Sequence, residues 1–439
     1  MLAALALALA VVPQAQAEPG LVEHDITFSS GELTLRGTVI APATGTKHPA
    51  VVMVHGSGRV SRDGYRPEAE AFARAGVVTL IYDKRPKRSK SDVDFELLAD
   101  DAVAAVRALK AQPDVDPART GLWGVSEGGW VAPIAAAGST DVAFVVTVGA
   151  PGVAPERQQS WNLVNRLAAA GVSGSLVDTV SRTTLGLLVG AGLFPESGYD
   201  PVPVLERVTQ PVLGLWGDLD RVIPGAESMR VFREALDRGG NRHYALRAVP
   251  GADHTMRLSP DGFQRGDEIS PAYLEQVTSW VTGDGSRAVE VGAAPQQERQ
   301  STPVPAGSPV VQLVVAALLV VAFAGYGVGA LVRRGRRVAA VPGHGRAARV
   351  LAATGLVSVL GLLAYLGYLA SSGAKSLGVV VLGRPLPWLA LQLLAVAVTA
   401  ATVVTVVKLR SRPTFRTGLL VAGGAVFVPW AVHWGLLLP

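Results

Sequence analysis

The 439-residue chain is 49% hydrophobic and carries a formal net charge of +5, which makes it longer than one average domain, with an apolar surplus that is unevenly placed. It has no cysteine, so disulfides, zinc thiolate sites and a cysteine nucleophile are excluded. The positive balance is not a nucleic-acid footprint, because Arg333, Arg334, Arg336, Arg337, Arg346, Arg349, Lys408, Arg410, Arg412 and Arg416 flank C-terminal apolar runs, as topology signals of a membrane protein do.

Residues 1–12 are an unbroken apolar run followed by Pro13-Gln14-Ala15-Gln16-Ala17, the A-x-A spacing of a cleavage site, and 1–17 is expected to be a secretory signal. A basic n-region is absent from it, which leaves an uncleaved anchor as the alternative. The alternation of Ile26, Phe28, Leu33, Leu35 and Val39 around Ser29-Ser30-Gly31 predicts an antiparallel hairpin at a sheet edge. Val51-Val52-Met53-Val54 then reads as a buried strand entering the turn His55-Gly56-Ser57-Gly58. A helix over 67–75, a strand over 77–82 and an amphipathic helix over 96–110 follow.

An apolar strand over 120–124 runs into Gly124-Val125-Ser126-Glu127-Gly128, with a small-residue helix over 129–137 and a strand over 142–148. Such alternation implies a doubly wound, mostly parallel α/β sheet. Between 151 and 211 the alternation is interrupted by helical patterns at 160–170 and 175–189. An insertion there leaves the carboxyl end of a strand, and it is expected to form a cap, about 153–209, over the ligand crevice. The strands 212–216 and 244–249 lead into Gly217-Asp218-Leu219-Asp220 and Gly251-Ala252-Asp253-His254.

Residues 286–308 are rich in Gly, Pro, Ser and Gln without periodicity and read as a linker closing the domain of 18–285. Four apolar runs follow within 309–439, at 309–332, 349–370, 386–407 and 417–438, each near the ~20 residues that cross a bilayer. No charge lies in the middle of any of them, which argues against an ion pathway. Positive-inside counting sends the first run into the cytoplasm and leaves the preceding domain outside.

A serine hydroxyl needs a base to take its proton and a carboxylate to hold that base. Ser126 is the candidate nucleophile, because Gly124 and Gly128 permit a sharp strand-to-helix turn. His254 is the candidate base, and Asp220 or Asp218 the orienting acid, with Asp253 a turn residue. The backbone N–H groups of Ser57 and Glu127 are the expected oxyanion donors. His55 is expected to be a structural hydrogen-bonding residue, and His24, His48 and His243 to be exposed. No His/Asp/Glu group has ligand spacing, so neither a metal nor another cofactor is expected.

His55-Gly56-Ser57-Gly58, Tyr82-Asp83-Lys84-Arg85 and Gly124-Val125-Ser126-Glu127-Gly128-Gly129 together resemble the α/β-hydrolase superfamily, and more closely its bacterial esterase, serine-aminopeptidase-like and dienelactone-hydrolase-like members. The resemblance covers about residues 23–282. It implies Ser, acid and His in that chain order, and it favours Asp220, whose Asp-x-x-x-Pro segment resembles the acid loop of that fold. One departure is Pro86-Lys87-Arg88-Ser89-Lys90, where such proteins usually continue with Gly-x-Gly-x-Ser. The implied activity is cleavage of a carboxylic ester, on a small-molecule, peptide or lipid acyl substrate, and the apolar runs, which lie outside the resemblance, make the expected enzyme an outward-facing integral membrane protein. A peptidase or acyltransferase would use the same residues, and an inactive binding module is the non-enzymatic alternative.

Overall fold

The computed structural model describes residues 20–58, 61–86, 94–283, 288–336, 345–409 and 414–439. The expected signal segment, the basic stretch 87–90 and the flanking Arg337, Arg410 and Arg412 lie outside the described residues.

The expected hairpin is present as β1 (Leu21–Ser30) and β2 (Leu33–Pro42), paired antiparallel at one edge of the sheet. Next come β3 (His48–Val54), α1 (Arg66–Arg74), β4 (Val78–Tyr82), α2 (Phe95–Lys110), β5 (Val115–Val125), α3 (Gly128–Gly138) and β6 (Val145–Val148). The sheet is completed by β7 (Val212–Gly217), α8 (Gly225–Arg238), β8 (Tyr244–Val249), α9 (Pro271–Thr282) and β9 (Glu290–Val291). The strand order is β1-β2-β4-β3-β5-β6-β7-β8-β9, parallel from β4 onward. Successive residues of β3 feed opposite faces: Ala50, Val52 and Val54 pack toward α2 and α3, while Val51 and Met53 pack toward α1 and α9. This two-sided burial explains the continuous apolar runs in the sequence. The chain leaves β3 toward β4 and returns past it to β5, so the carboxyl ends of β3 and β5 flank the switch point where ligands bind in such sheets.

The insertion between β6 and β7 folds as α4 (Pro155–Ala169), α5 (Ser175–Asp178), a π-helical turn (Thr179–Thr184), α6 (Leu185–Gly190) and α7 (Val202–Leu205). It does not close over the crevice. Its apolar residues Leu163, Leu167, Leu176, Val180 and Leu185 share one buried cluster with Leu319, Phe323, Leu362, Leu366, Trp388 and Trp434 of the tail. The cap's apolar stripe is thus spent on the tail. Hydrogen bonds follow the same contact, from Ser175 N to Pro439 O (3.0 Å), Ser173 N to Gly383 O (2.8 Å) and Thr179 Oγ1 to Trp434 O (3.0 Å).

The stretch expected to be a linker is instead docked along its described length. After β9 pairs with β8, Gln296 N donates to Asp218 Oδ1 (2.9 Å), Ser301 N to the buried Glu227 Oε1 (2.8 Å) and Gly307 N to Gly186 O (2.7 Å). Residues without apolar periodicity are held here by polar contacts, which composition does not reveal.

The tail consists of α10 (Pro309–Gly335), α11 (Gly345–Ser372), α12 (Leu386–Leu409) and α13 (Phe415–His433), with the short hairpin β10 (Val380–Val381) and β11 (Arg384–Pro385) between the second and third helices. All four helices are long and apolar enough to cross a membrane. They meet through small residues: a Cβ on Gly355 would lie 2.7 Å from the Phe323 ring, and one on Gly424 would lie 2.3 Å from Thr402 Oγ1. The fourth helix stops at His433, short of the expected 438, because the chain turns at Gly435 (φ 73°) and lays its last residues against the cap.

Candidate active site

Ser126 follows the last residue of β5 with φ 55°, a left-handed conformation that costs a non-glycine residue ~1–3 kcal/mol. The surroundings enforce it. A Cβ on Gly124 would sit 2.1 Å from Gly128 O, one on Gly128 2.5 Å from Val54 O, and one on Gly129 2.4 Å from Ala150 Cβ. These glycines let α3 start directly beneath the turn, and Ser126 N is held by Val148 O at 2.9 Å. The turn after β3 lies alongside, since a Cβ on Gly56 would be 3.4 Å from Ser126 Cβ.

A cavity of about 250 Å³ is lined by Ser57, Tyr65, Trp123, Ser126, Val222 and His254, among others. No described residue of the cap lines it. The polar side of α4 instead reaches the acid loop from behind: Gln158 Nε2 donates to Val222 O (2.7 Å) and Asn165 Nδ2 to Arg221 O (3.4 Å).

His254 Nδ1 and Asp220 Oδ2 are 2.8 Å apart. Asp220 is buried, and its Oδ1 accepts from Val222 N (2.7 Å) and Ile223 N (2.9 Å), which fixes the carboxylate. Asp218 points elsewhere, toward Gln296 N, and Asp253 accepts from Thr255 N, Thr255 Oγ1 and Arg257 N as a turn residue. Burial is the largest influence on His254 and pulls its pKa down. Attraction and hydrogen bonding by Asp220, with a smaller pull from Asp253, outweigh it and lift the group above its ordinary 6.5.

The side-chain contacts of Lys84, Arg85, Asp101 and Glu127, and the packing of Gly149, carried no signal in the sequence. Gly149, at φ 54° after β6, is packed under the pair: a Cβ there would lie 3.0 Å from His254 Nδ1 and 3.4 Å from Asp220 Oδ2. Lys84 and Glu127 form a buried ion pair, and Lys84 Nζ also donates to Gly56 O at 3.1 Å. One cation therefore ties together the two turns expected to supply oxyanion donors. Arg85 grips the buried Asp101 in two parallel bonds of 2.7 and 2.6 Å, anchoring α2 beside the same segment.

His55 is structural, as expected: its Nε2 bonds to Tyr82 O and its ring meets Tyr65 and Tyr82 edge-on. His24 and His48, expected to be exposed, are half-buried and bonded to Gln112 and Thr44, whereas His243 is exposed.

No protein-family model matches the chain. An esterase of Thermotoga maritima, EstD, is 23% identical over 289 residues, which span 59% of this chain and 67% of that protein. A thiohydrolase of Aspergillus aculeatus, aneE, is 35% identical over 122 residues, 26% of this chain and 37% of that one. The chain thus spans little more than a third of the thiohydrolase and about two thirds of the esterase. Among solved structures, a dienelactone hydrolase of Anabaena variabilis is 22% identical, covering 60% of this chain and 97% of that one at a TM-score of 0.38. An esterase of Pyrobaculum calidifontis is 20% identical, covering 61% and 87% at a TM-score of 0.43.

Proposed function

The domain between the hairpin and α9 has the α/β-hydrolase fold, and on that premise we propose that it is a serine hydrolase that cleaves carboxylic esters through an acyl-enzyme. The observation that carries this reading is the 2.8 Å contact between His254 and the buried Asp220, in a cavity that Ser126 enters from a strained turn. Relatives with esterase and thiohydrolase activity in their names support acyl transfer to water as the reaction class.

In this reading Asp220 Oδ2 accepts a hydrogen bond from His254 Nδ1–H, which holds the tautomer whose Nε2 is free to act as the base. Ser126 Oγ loses its proton to Nε2 and attacks the ester carbonyl carbon, whose oxygen becomes an anion facing the N–H groups of Ser57 and Glu127. Collapse of the tetrahedral intermediate breaks the bond to the alcohol oxygen, which leaves with the proton from Nε2. Water, deprotonated by the same nitrogen, then releases the acid and restores Ser126.

Orientation belongs to the same proposal. The cap meets the tail where α11 ends and the last residues follow α13, while Arg333, Arg336, Arg346, Arg349, Lys408 and Arg416 lie near the opposite helix ends. Positive-inside topology then puts the hydrolase domain on the extracytoplasmic side.

Hydrolysis of p-nitrophenyl butyrate by the full chain in detergent tests the chemistry. Ser126→Ala and His254→Ala are each expected to lower kcat by on the order of 10⁶. Either variant keeping a tenth or more of wild-type turnover, roughly one RT ln 10 of barrier, contradicts the assignment.

A further inference from the structure

A second cavity, of about 240 Å³, lies between the cap and the end of α11, away from Ser126. Its apolar walls are Leu163 of α4, Val180 of the π-helical turn, Leu185 and Leu188 of α6, and Leu366 and Leu369 of α11, with Gln159 and Thr184 as its polar margin. We propose that this cavity binds one acyl chain of a membrane phospholipid.

Two observations identify that occupant. The first is position. Leu366 and Leu369 lie in the last turns of a helix read as a membrane span, and Leu360, Leu363 and Tyr368 of that helix are exposed, so the cavity continues a lipid-facing surface up to the bilayer boundary. A partly open, mainly apolar cavity of this kind favours an apolar ligand over water. Leu193, 68% exposed at its lip, would itself rest in the interfacial layer.

The second is charge. Arg166, half-buried on α4, donates to Gly373 O at 2.5 Å, and Gly373 lines the cavity. Among the described residues no carboxylate is bonded to Arg166, so in the proposed complex its guanidinium, beside the lining Gly373, meets the phosphate while the chain fills the interior. The proposal does not depend on Ser126 chemistry.

The test uses the full chain in vesicles of phosphatidylethanolamine and phosphatidylglycerol containing a phospholipid with a diazirine on its acyl chain. After irradiation, adducts are mapped by peptide mass spectrometry. Adducts are expected within 180–188 of the cap as well as on the lipid-facing Leu393 and Val396 of α12. Filling the cavity by Leu369→Trp or Leu188→Trp should cut the cap adducts by at least about fivefold while those on α12 stay within about twofold. Leu188 is only partly buried, so its variant decides the matter if Leu369→Trp loses its α12 labelling through misfolding. Wild-type protein labelled on α12 but not within 180–188, or cap adducts that persist in Leu188→Trp, overturns the proposal.

Discussion

At the scale of single residues, the proposed mechanism makes the contact between His254 and Asp220 set the pH response. Because His254 is lifted above 6.5, it stays protonated further toward neutral pH than a free histidine, and a protonated base cannot take the proton of Ser126. The acid limb of kcat/KM should therefore have its midpoint above 6.5. The sign for stability is the reverse: the raised group stabilises the folded state below its unfolded pKa, and that contribution is lost as pH rises through the folded value. Asp220→Asn should move the acid midpoint downward and reduce kcat by roughly 10⁴, as measured by pH-rate profiles of both proteins. An unchanged midpoint would show that another carboxylate holds His254. Ser126, Asp220 and His254 could be singled out as candidates because each follows an apolar strand in an order that one fold uses. Gly149 was not, since a glycine after a strand gives no sign of which distant side chains will settle 3.0 Å from its missing Cβ.

At the scale of elements, the alternating strands and helices were readable because strands buried on both faces are uniformly apolar and α2 shows a clear stripe. What joins the elements was less readable. The pair of Lys84 after β4 and Glu127 before α3 is buried, and removing one partner leaves a charge without compensation. Lys84→Met is expected to destabilise the domain by about 3–5 kcal/mol, and adding Glu127→Leu should recover much of that loss. Thermal unfolding followed by tryptophan fluorescence checks both. Equal unfolding of single and double variants would mean that the cation matters for packing alone. The ninth strand was invisible for a related reason: Glu290 and Val291 are exposed, and only their pairing with Ala245 and Leu246 makes them a strand.

At the scale of the whole molecule, the insertion, the strap of residues 288–308 and the four apolar helices form one connected body. The apolar runs announced the tail, but the partner of the cap was hidden, because an amphipathic helix shows that it buries a face without showing against what. In the proposed reading, that connection puts the ester-cleaving site on the same side of the membrane as the ends of α11 and α13. The absence of cysteine makes the side directly measurable. Ser279→Cys, exposed on α9, should react with an impermeant maleimide on intact cells, whereas Arg336→Cys beyond α10 should react only after lysis. The reverse pattern would invert the topology. The most direct measurement of the central claim is labelling of the full chain with a fluorophosphonate probe, followed by peptide mapping. The account predicts a single phosphonylated residue, Ser126, and loss of that adduct in His254→Ala. Folded protein that hydrolyses esters yet carries the adduct on another residue, or none at all, would contradict it.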